Sequence, residues 1–284
     1  LIILCKQAER LFLEIFLGFS MKFTLTEAQK ASYFRNGYLV VEGLISDDQI
    51  ELLKHKSELI GDNRVDHVPN SSTQVEPDID IKLCSEKNLT LRKLYDIAVY
   101  DQIFWKHVIN EKIVDVVSQL LETNDIKLYG DQLFMKNPEV GSEIYWHQDS
   151  ASWKDIFPKD LITAWTALDN ATLENGCLKF IPGSHRFGTL GLDYDSREKK
   201  MEKFLPLLNF NQWKIQDIEL TPGSVSFHHS LLVHGSGRNL SSSRRRGYAA
   251  HYMRALSWKD DRITDAPKMP KFCQVRGKSY ENCV

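Results

Sequence analysis

Three residues have the types and spacing to hold a divalent metal. His147 and Asp149 flank one residue in Trp146-His147-Gln148-Asp149, and His234 follows in Val-His-Gly-Ser-Gly. If the first pair lies on a strand, side chains at i and i+2 point the same way and share one target. Two imidazoles and one carboxylate leave coordination positions open for a cosubstrate and for oxygen, and this donor set suits Fe(II). An HxD pair recurs by chance, and each member has an ordinary reading, His147 as a hydrogen-bonded buried histidine and Asp149 as a turn or cap. Arg245, eleven positions beyond His234, strengthens the metal reading. A guanidinium in a barrel interior recognises a carboxylate through two parallel hydrogen bonds. The Ser236 hydroxyl could add another bond. Arg245 belongs to an Arg244-Arg245-Arg246 run, and periodicity alone does not choose among the three. On composition, His228 or His229 could replace His234 as ligand.

These residues need elements to position them. Thr26 with Gln29 makes a capping box for a helix ending near Asn36, and Gly37 supplies its left-handed stop. Tyr38–Val41 reads as a short strand. Ser46 with Gln49 opens a second helix carrying Ile50, Leu53 and Ile60 near one face. Residues 61–90 read as a long polar loop, and residues 91–123 as helical, with Leu94, Ile97, Ile103, Val108, Ile113, Val117 and Leu120 on buried stripes. Beyond Asn124 the texture changes to short strands: Ile126–Tyr129, Gln132–Met135, Ile162–Leu168, Cys177–Ile181, Ser224–Phe227 and Gly247–Met253. Ile162–Leu168 lacks polar alternation, so both its faces should be covered. Many short strands with turn punctuation predict a sandwich or barrel, with the preceding helices on one outer face. Residues 188–221 read as a charged insertion with weak helical character. That insertion and the 61–90 loop are candidate closing walls.

Bulk properties narrow the classes. The chain has 284 residues, 36 basic and 38 acidic, for a formal charge of −2. Such a balance argues against nucleic acid as a partner. Five scattered cysteines make neither a disulfide framework nor a structural zinc site, and they point to a reducing, intracellular setting such as the cytoplasm. Residues 1–20 are apolar in patches but interrupted by Lys6, Glu9, Arg10 and Glu14, so no transmembrane segment is expected. They read as an extension ahead of a single domain over residues 21–284, or as an amphipathic helix lying on that domain or on a membrane surface. Oligomeric state is not readable.

The sequence resembles the phytanoyl-CoA dioxygenase family of Fe(II)- and 2-oxoglutarate-dependent oxygenases. The resemblance runs from about Phe23 to Met253. It is carried by FMKNP (134–138), WHQD (146–149), AWTAL (164–168), NGCLKFIPGSH (175–185), FHHSLLVHGSGRN (227–239) and RRRGYAAHY (244–252). It implies a mainly β fold with flanking α-helices around a double-stranded β-helix, or jelly-roll, core. It also implies iron ligation by His147, Asp149 and His234, and favours His234 over His228 and His229, which become wall residues. Arg245 would grip the far carboxylate of 2-oxoglutarate with Ser236 beside it. Lys136, Gln148 and Trp165 would lie in or near the cosubstrate pocket, and His185 would order a turn. The expected reaction consumes O2 and 2-oxoglutarate, releases succinate and CO2, and hydroxylates an unactivated C–H bond of a small organic or acyl substrate. Related halogenases replace the carboxylate ligand with a small residue; Asp149 is present here, which favours hydroxylation or another oxidative outcome such as desaturation. The rival classes are a non-redox cupin-like isomerase, which would not need Arg245, and a degenerate non-catalytic member, which would not need the whole triad.

Overall fold

The computed structural model describes residues 22–77, 87–190, 214–263 and 272–284. The expectations for residues 1–20 and for most of the 188–221 insertion lie outside these residues.

The N-terminal elements form as their caps dictate. Helix α1 spans Glu27–Asn36 behind a complete Thr26/Gln29 capping box, and Gly37 at φ 82 donates its N–H to the Tyr33 carbonyl. Strand β1 is Tyr38–Val41. Helix α2, Asp47–Gly61, starts after Ser46, but the Ser46 side chain makes no capping bond. Asp47 and Asp48 in its first turn favour the helix start through the macrodipole instead.

Two expectations need correction. The 61–90 segment is not all loop, because Thr73–Val75 forms β2. Residues 91–123 are not helical throughout, because Leu91–Tyr95 forms β3, paired with β2 on one side. Leu91, Leu94 and Ile97 fall three apart and imitate a helical stripe, yet all three are buried from an extended or turn backbone. Helicity resumes in α3, Gln102–Val108, and α4, Glu111–Leu120, capped by Asp101 and Asn110.

Strand β4, Ile126–Lys136, joins into one element the two runs read separately from sequence. Then come β5 (Ile144–His147), the single turn α5 (Asp149–Ser152), β6 (Ile156–Phe157), β7 (Ile162–Ala167) and β8 (Leu178–Phe180). The remaining strands are β9 (Gln216–Ile218), β10 (Val225–His229), β11 (His234–Ser236), β12 (Arg245–Arg254), β13 (Trp258–Lys259) and β14 (Gln274–Arg276).

Two antiparallel sheets carry the fold. The larger runs β1-β10-β7-β12-β4-β3-β2, with β14 also on β4; the smaller runs β5-β11-β8-β9. The expected jelly-roll architecture is therefore present. Alternation sorts the large sheet into two faces. Ile162, Ala164, Val225, Phe227, Tyr248, Ala250 and Tyr252 pack with Leu53, Phe104, Ile113 and Val117 of the helices in the main core. Trp165, Ala167 and Ala249 turn the other way and join Leu178, Phe180 and Ile218 of the small sheet. This explains why β7 lacks polar alternation: all six of its residues are buried, three against each layer.

Candidate metal and cosubstrate site

The site lies between the sheets. A cavity of about 240 Å³ is lined by His147, Asp149 and His234 together with Trp165, Ser236 and Arg245. His147 and His234 are register partners on the adjacent strands β5 and β11, and their ring centroids are 4.1 Å apart. Asp149 does not share a strand with His147. The β5 ladder ends at His147, and Asp149 opens the turn α5. Gln148 between them keeps an extended backbone (φ −119, ψ 128), so the two-residue alternation survives without the ladder.

The donor atoms converge. Asp149 Oδ1 stands 3.6 Å from His147 Nε2 and 3.7 Å from His234 Nε2. Among the described residues, these three side chains form the group able to hold a metal ion, with ligand atoms within 4.8 Å of one another. Each histidine is pinned through its other nitrogen: His147 Nδ1 lies 2.8 Å from the Tyr145 carbonyl, and His234 Nδ1 lies 2.9 Å from the Leu232 carbonyl. A carbonyl can only accept, so each Nδ1 carries the proton and each Nε2 offers a lone pair to the cavity.

Charge state fits the same role. Burial disfavours protonation of His234, as does neighbouring His147, and its pKa falls well below the usual histidine range. Burial opposes ionisation of Asp149, but His234, His147 and His228 around it outweigh that, and its carboxyl stays well below the usual carboxylate range. A neutral imidazole beside an ionised carboxylate is the state a metal ligand requires.

Arg245 is the member of its triplet that reaches the cavity. It is 1% exposed, and the β12 alternation puts it on the face of Ala249 and His251, toward the cavity. Its guanidinium donates Nη2 to the Gly176 carbonyl at 2.8 Å and lies 5.4 Å from the Trp165 ring centroid. Its buried Nε has no hydrogen-bond partner among the described residues. Burial pulls its pKa down to about 10, so it remains a cation at neutral pH. Such an orphaned buried donor beside the cavity suits the carboxylate of 2-oxoglutarate. Arg246 is also buried but points to the opposite, helix-covered face of the sheet, forked onto Asp169 and bonded to Glu58. Gly247 permits the arrangement, because a Cβ there would fall 1.8 Å from Trp165 Cζ2.

The other expected site residues divide. Ser236 lines the cavity from β11 and Trp165 from β7. Gln148 is fully buried but does not line the cavity. Its amide donates to the Leu231 and Gly188 carbonyls and accepts from Leu190 N–H, so it ties residues 188–190 to the approach to β11. Lys136 is also buried outside the lining, with Nζ donating to the Ser142 and Gly237 carbonyls. His185 sits in the 3₁₀ turn Ser184–Phe187, against the Phe34 carbonyl.

Sequence reasoning missed Lys93, Thr163 and His251, all of which line the cavity. Lys93 is 2% exposed, with Nζ 4.6 Å from the Phe134 ring centroid. The helical reading of residues 91–123 hid it. The signal that could have found His251 is its odd-numbered place on β12, in step with Arg245.

The fold matches solved structures. EctD from S. alaskensis, with bound Fe and with 2-oxoglutarate and 5-hydroxyectoine, aligns in both forms at TM-score 0.72 and 22% identity, over 94% of this chain and 89% of that one. A "Phytanoyl-CoA dioxygenase domain-containing protein 1 homolog" from Caenorhabditis briggsae is 27% identical, over 86% of this chain and 96% of its own length. A "Phytanoyl-CoA dioxygenase" from Arabidopsis thaliana is 27% identical, over 87% and 96%. The family model for phytanoyl-CoA dioxygenase (PhyH) matches residues 33–247, and the chain belongs to that family.

Proposed function

We propose that this protein is an Fe(II)- and 2-oxoglutarate-dependent dioxygenase that hydroxylates a C–H bond of a small organic or acyl substrate. His147, Asp149 and His234 would hold the metal, and Arg245, with Ser236 and Trp165 beside it, would hold the cosubstrate. One observation carries this reading: a convergent His-Asp-His set and a buried arginine with an unpaired donor line the same cavity. A non-redox jelly roll has no use for that arginine. Family membership and the iron and 2-oxoglutarate found in EctD support the assignment.

Bound there, Fe(II) would supply oxygen activation coupled to decarboxylation of 2-oxoglutarate to succinate and CO2. The protein's own part is positional. The Tyr145 and Leu232 carbonyls fix both imidazole rings, which keeps the two Nε2 lone pairs on one point. The Arg245 cation would orient the cosubstrate from its far end, and its bond to the Gly176 carbonyl, with the Trp165 ring 5.4 Å away, limits its freedom. Ile144, Phe134, Leu178 and Trp153 supply apolar wall around the site, which excludes water from the reacting centre.

We assign residues 21–284 to one oxygenase domain working on a small molecule in a reducing, intracellular compartment. Among the described residues, buried Cys177 and half-buried Cys283 are free thiols. Among the described residues no helix is long and apolar enough to cross a membrane. The test is a metabolite screen scored by substrate-stimulated succinate release with Fe(II) and 2-oxoglutarate. Wild-type protein should release succinate, and Asp149→Ala should abolish it. Normal turnover in Asp149→Ala would remove Asp149 from the ligand set.

A further inference from the structure

A row of side chains crosses three neighbouring strands of the large sheet and ends on Asp149. Thr163 of β7 has His228 of β10 as its register partner on one side and His251 of β12 on the other. All three line the cavity. Thr163 Oγ1 lies 2.8 Å from Asp149 Oδ2 and 2.8 Å from His251 Nδ1. His228 Nε2 lies 3.5 Å from the same Oδ2. The other carboxylate oxygen, Oδ1, is the one turned toward His147 and His234.

Chemistry assigns the protons along this row. An ionised carboxylate only accepts, so Thr163 donates to Asp149. A hydroxyl carries one proton, so the Thr163 oxygen accepts from His251 Nδ1–H. His251 is then the tautomer with a lone pair on Nε2, and Gln132 Nε2 stands 3.5 Å from that atom, at the outer limit of reach. Burial holds His251 at about 4, so it stays neutral and cannot reverse the chain at neutral pH. His228 is 1% exposed, and neither of its ring nitrogens has a hydrogen-bond partner among the described residues. A buried imidazole N–H without an acceptor is costly, and Asp149 Oδ2 is an acceptor a few tenths of an ångström beyond an ordinary bond.

We propose that Thr163, braced by His251, and His228 form a clamp that occupies Oδ2, so that Asp149 presents a single oxygen, Oδ1, to the metal. Carboxylates bind metals through one oxygen or two. Without the clamp Asp149 can rotate, and it then either claims a position that cosubstrate and oxygen need or turns away from the two imidazoles. Thr163, His251 and His228 are positioning residues on this account, because they act through Asp149. The inference rests on the metal assignment above.

The test titrates Co(II) into the metal-free full-length protein and reads its dissociation constant and visible spectrum. Thr163→Val keeps the shape and removes the donor. His228→Phe keeps a ring against Phe180 and His234 and removes the nitrogens. Each should weaken Co(II) binding about tenfold or more, the range found for outer-shell partners of metal ligands, and should change the spectrum. Thr163→Ser should restore both. Thermal melting of the metal-free variants reports folding, and a merely structural role would lower melting without altering the spectrum of bound Co(II). Wild-type affinity and spectrum in both Thr163→Val and His228→Phe, with binding lost in Asp149→Ala, would overturn the clamp alone. Undiminished binding in Asp149→Ala would overturn the metal assignment and the clamp with it.

Discussion

Arg245 and its neighbours separate a binding role from a structural one within three consecutive residues. Arg245 turns into the cavity with an unpaired donor, whereas Arg246 is forked onto Asp169 and Glu58. Arg245→Lys keeps the charge but loses the fork, and should raise the 2-oxoglutarate requirement about ten- to a hundredfold with little effect on folding. Arg246→Ala should leave that requirement unchanged and cost about 1–2 kcal/mol of stability by urea unfolding, because Asp169 loses its guanidinium bonds and keeps only the residue-246 N–H and nearby Lys54. A reversed pattern would show that Arg246 is the cosubstrate residue. His107 gives a residue-scale pH dependence away from the metal. It is buried against Thr166 Oγ1, and burial lowers its pKa from 6.5 to about 4. Above pH 6.5 both folded and unfolded states are neutral and the contribution is complete. As pH falls from 6.5 toward 4, the unfolded chain takes up a proton that the folded state resists, and stability is lost, up to about 3 kcal/mol. His229 and His251 act in the same direction. Urea unfolding of the metal-free protein at pH 7 and pH 4.5 should show the loss, with a shallower slope in His107→Gln.

At the scale of elements, what the sequence made legible depended on how local the cause is. The Thr26/Gln29 box and Gly37 define α1 within a few residues, and both form as read. The strands β7, β8, β10 and β12 were legible from short β-rich runs between turns. β3 was not, because Leu91, Leu94 and Ile97 fit a helical spacing, and only pairing with β2 and β4 decides for a strand. The same misreading concealed Lys93. Asp149 was legible both as a site residue and as a turn or cap, and it is both: β5 ends at His147, opposite the first residue of β11, His234, and Asp149 opens the turn that follows. The choice of Arg245 from its triplet needed the face of β12, which tertiary packing sets. That face also explains Gly247. Gly247→Ala should displace Trp165 and with it the neighbouring Arg245 guanidinium, costing roughly 1–3 kcal/mol and weakening 2-oxoglutarate binding. Unchanged stability and cosubstrate affinity would show that Trp165 can move aside at no cost.

At the scale of the whole molecule, the helices cover one face of the large sheet and leave the other to face the small sheet. The main core therefore stabilises a platform whose opposite face is released for chemistry. The small sheet contributes His147, His234 and Ser236; the large sheet contributes Thr163, Trp165, His228, Arg245 and His251. Neither sheet alone holds the site, so metal binding should report on their correct apposition. The central claim is that this cavity binds iron and 2-oxoglutarate together. Its most direct test is anaerobic addition of Fe(II) and then 2-oxoglutarate, followed by visible absorption. The account predicts the weak charge-transfer band of a chelated complex in the wild-type protein and its loss in Asp149→Ala. A folded, iron-loaded wild-type protein that shows no such band at saturating 2-oxoglutarate would contradict it.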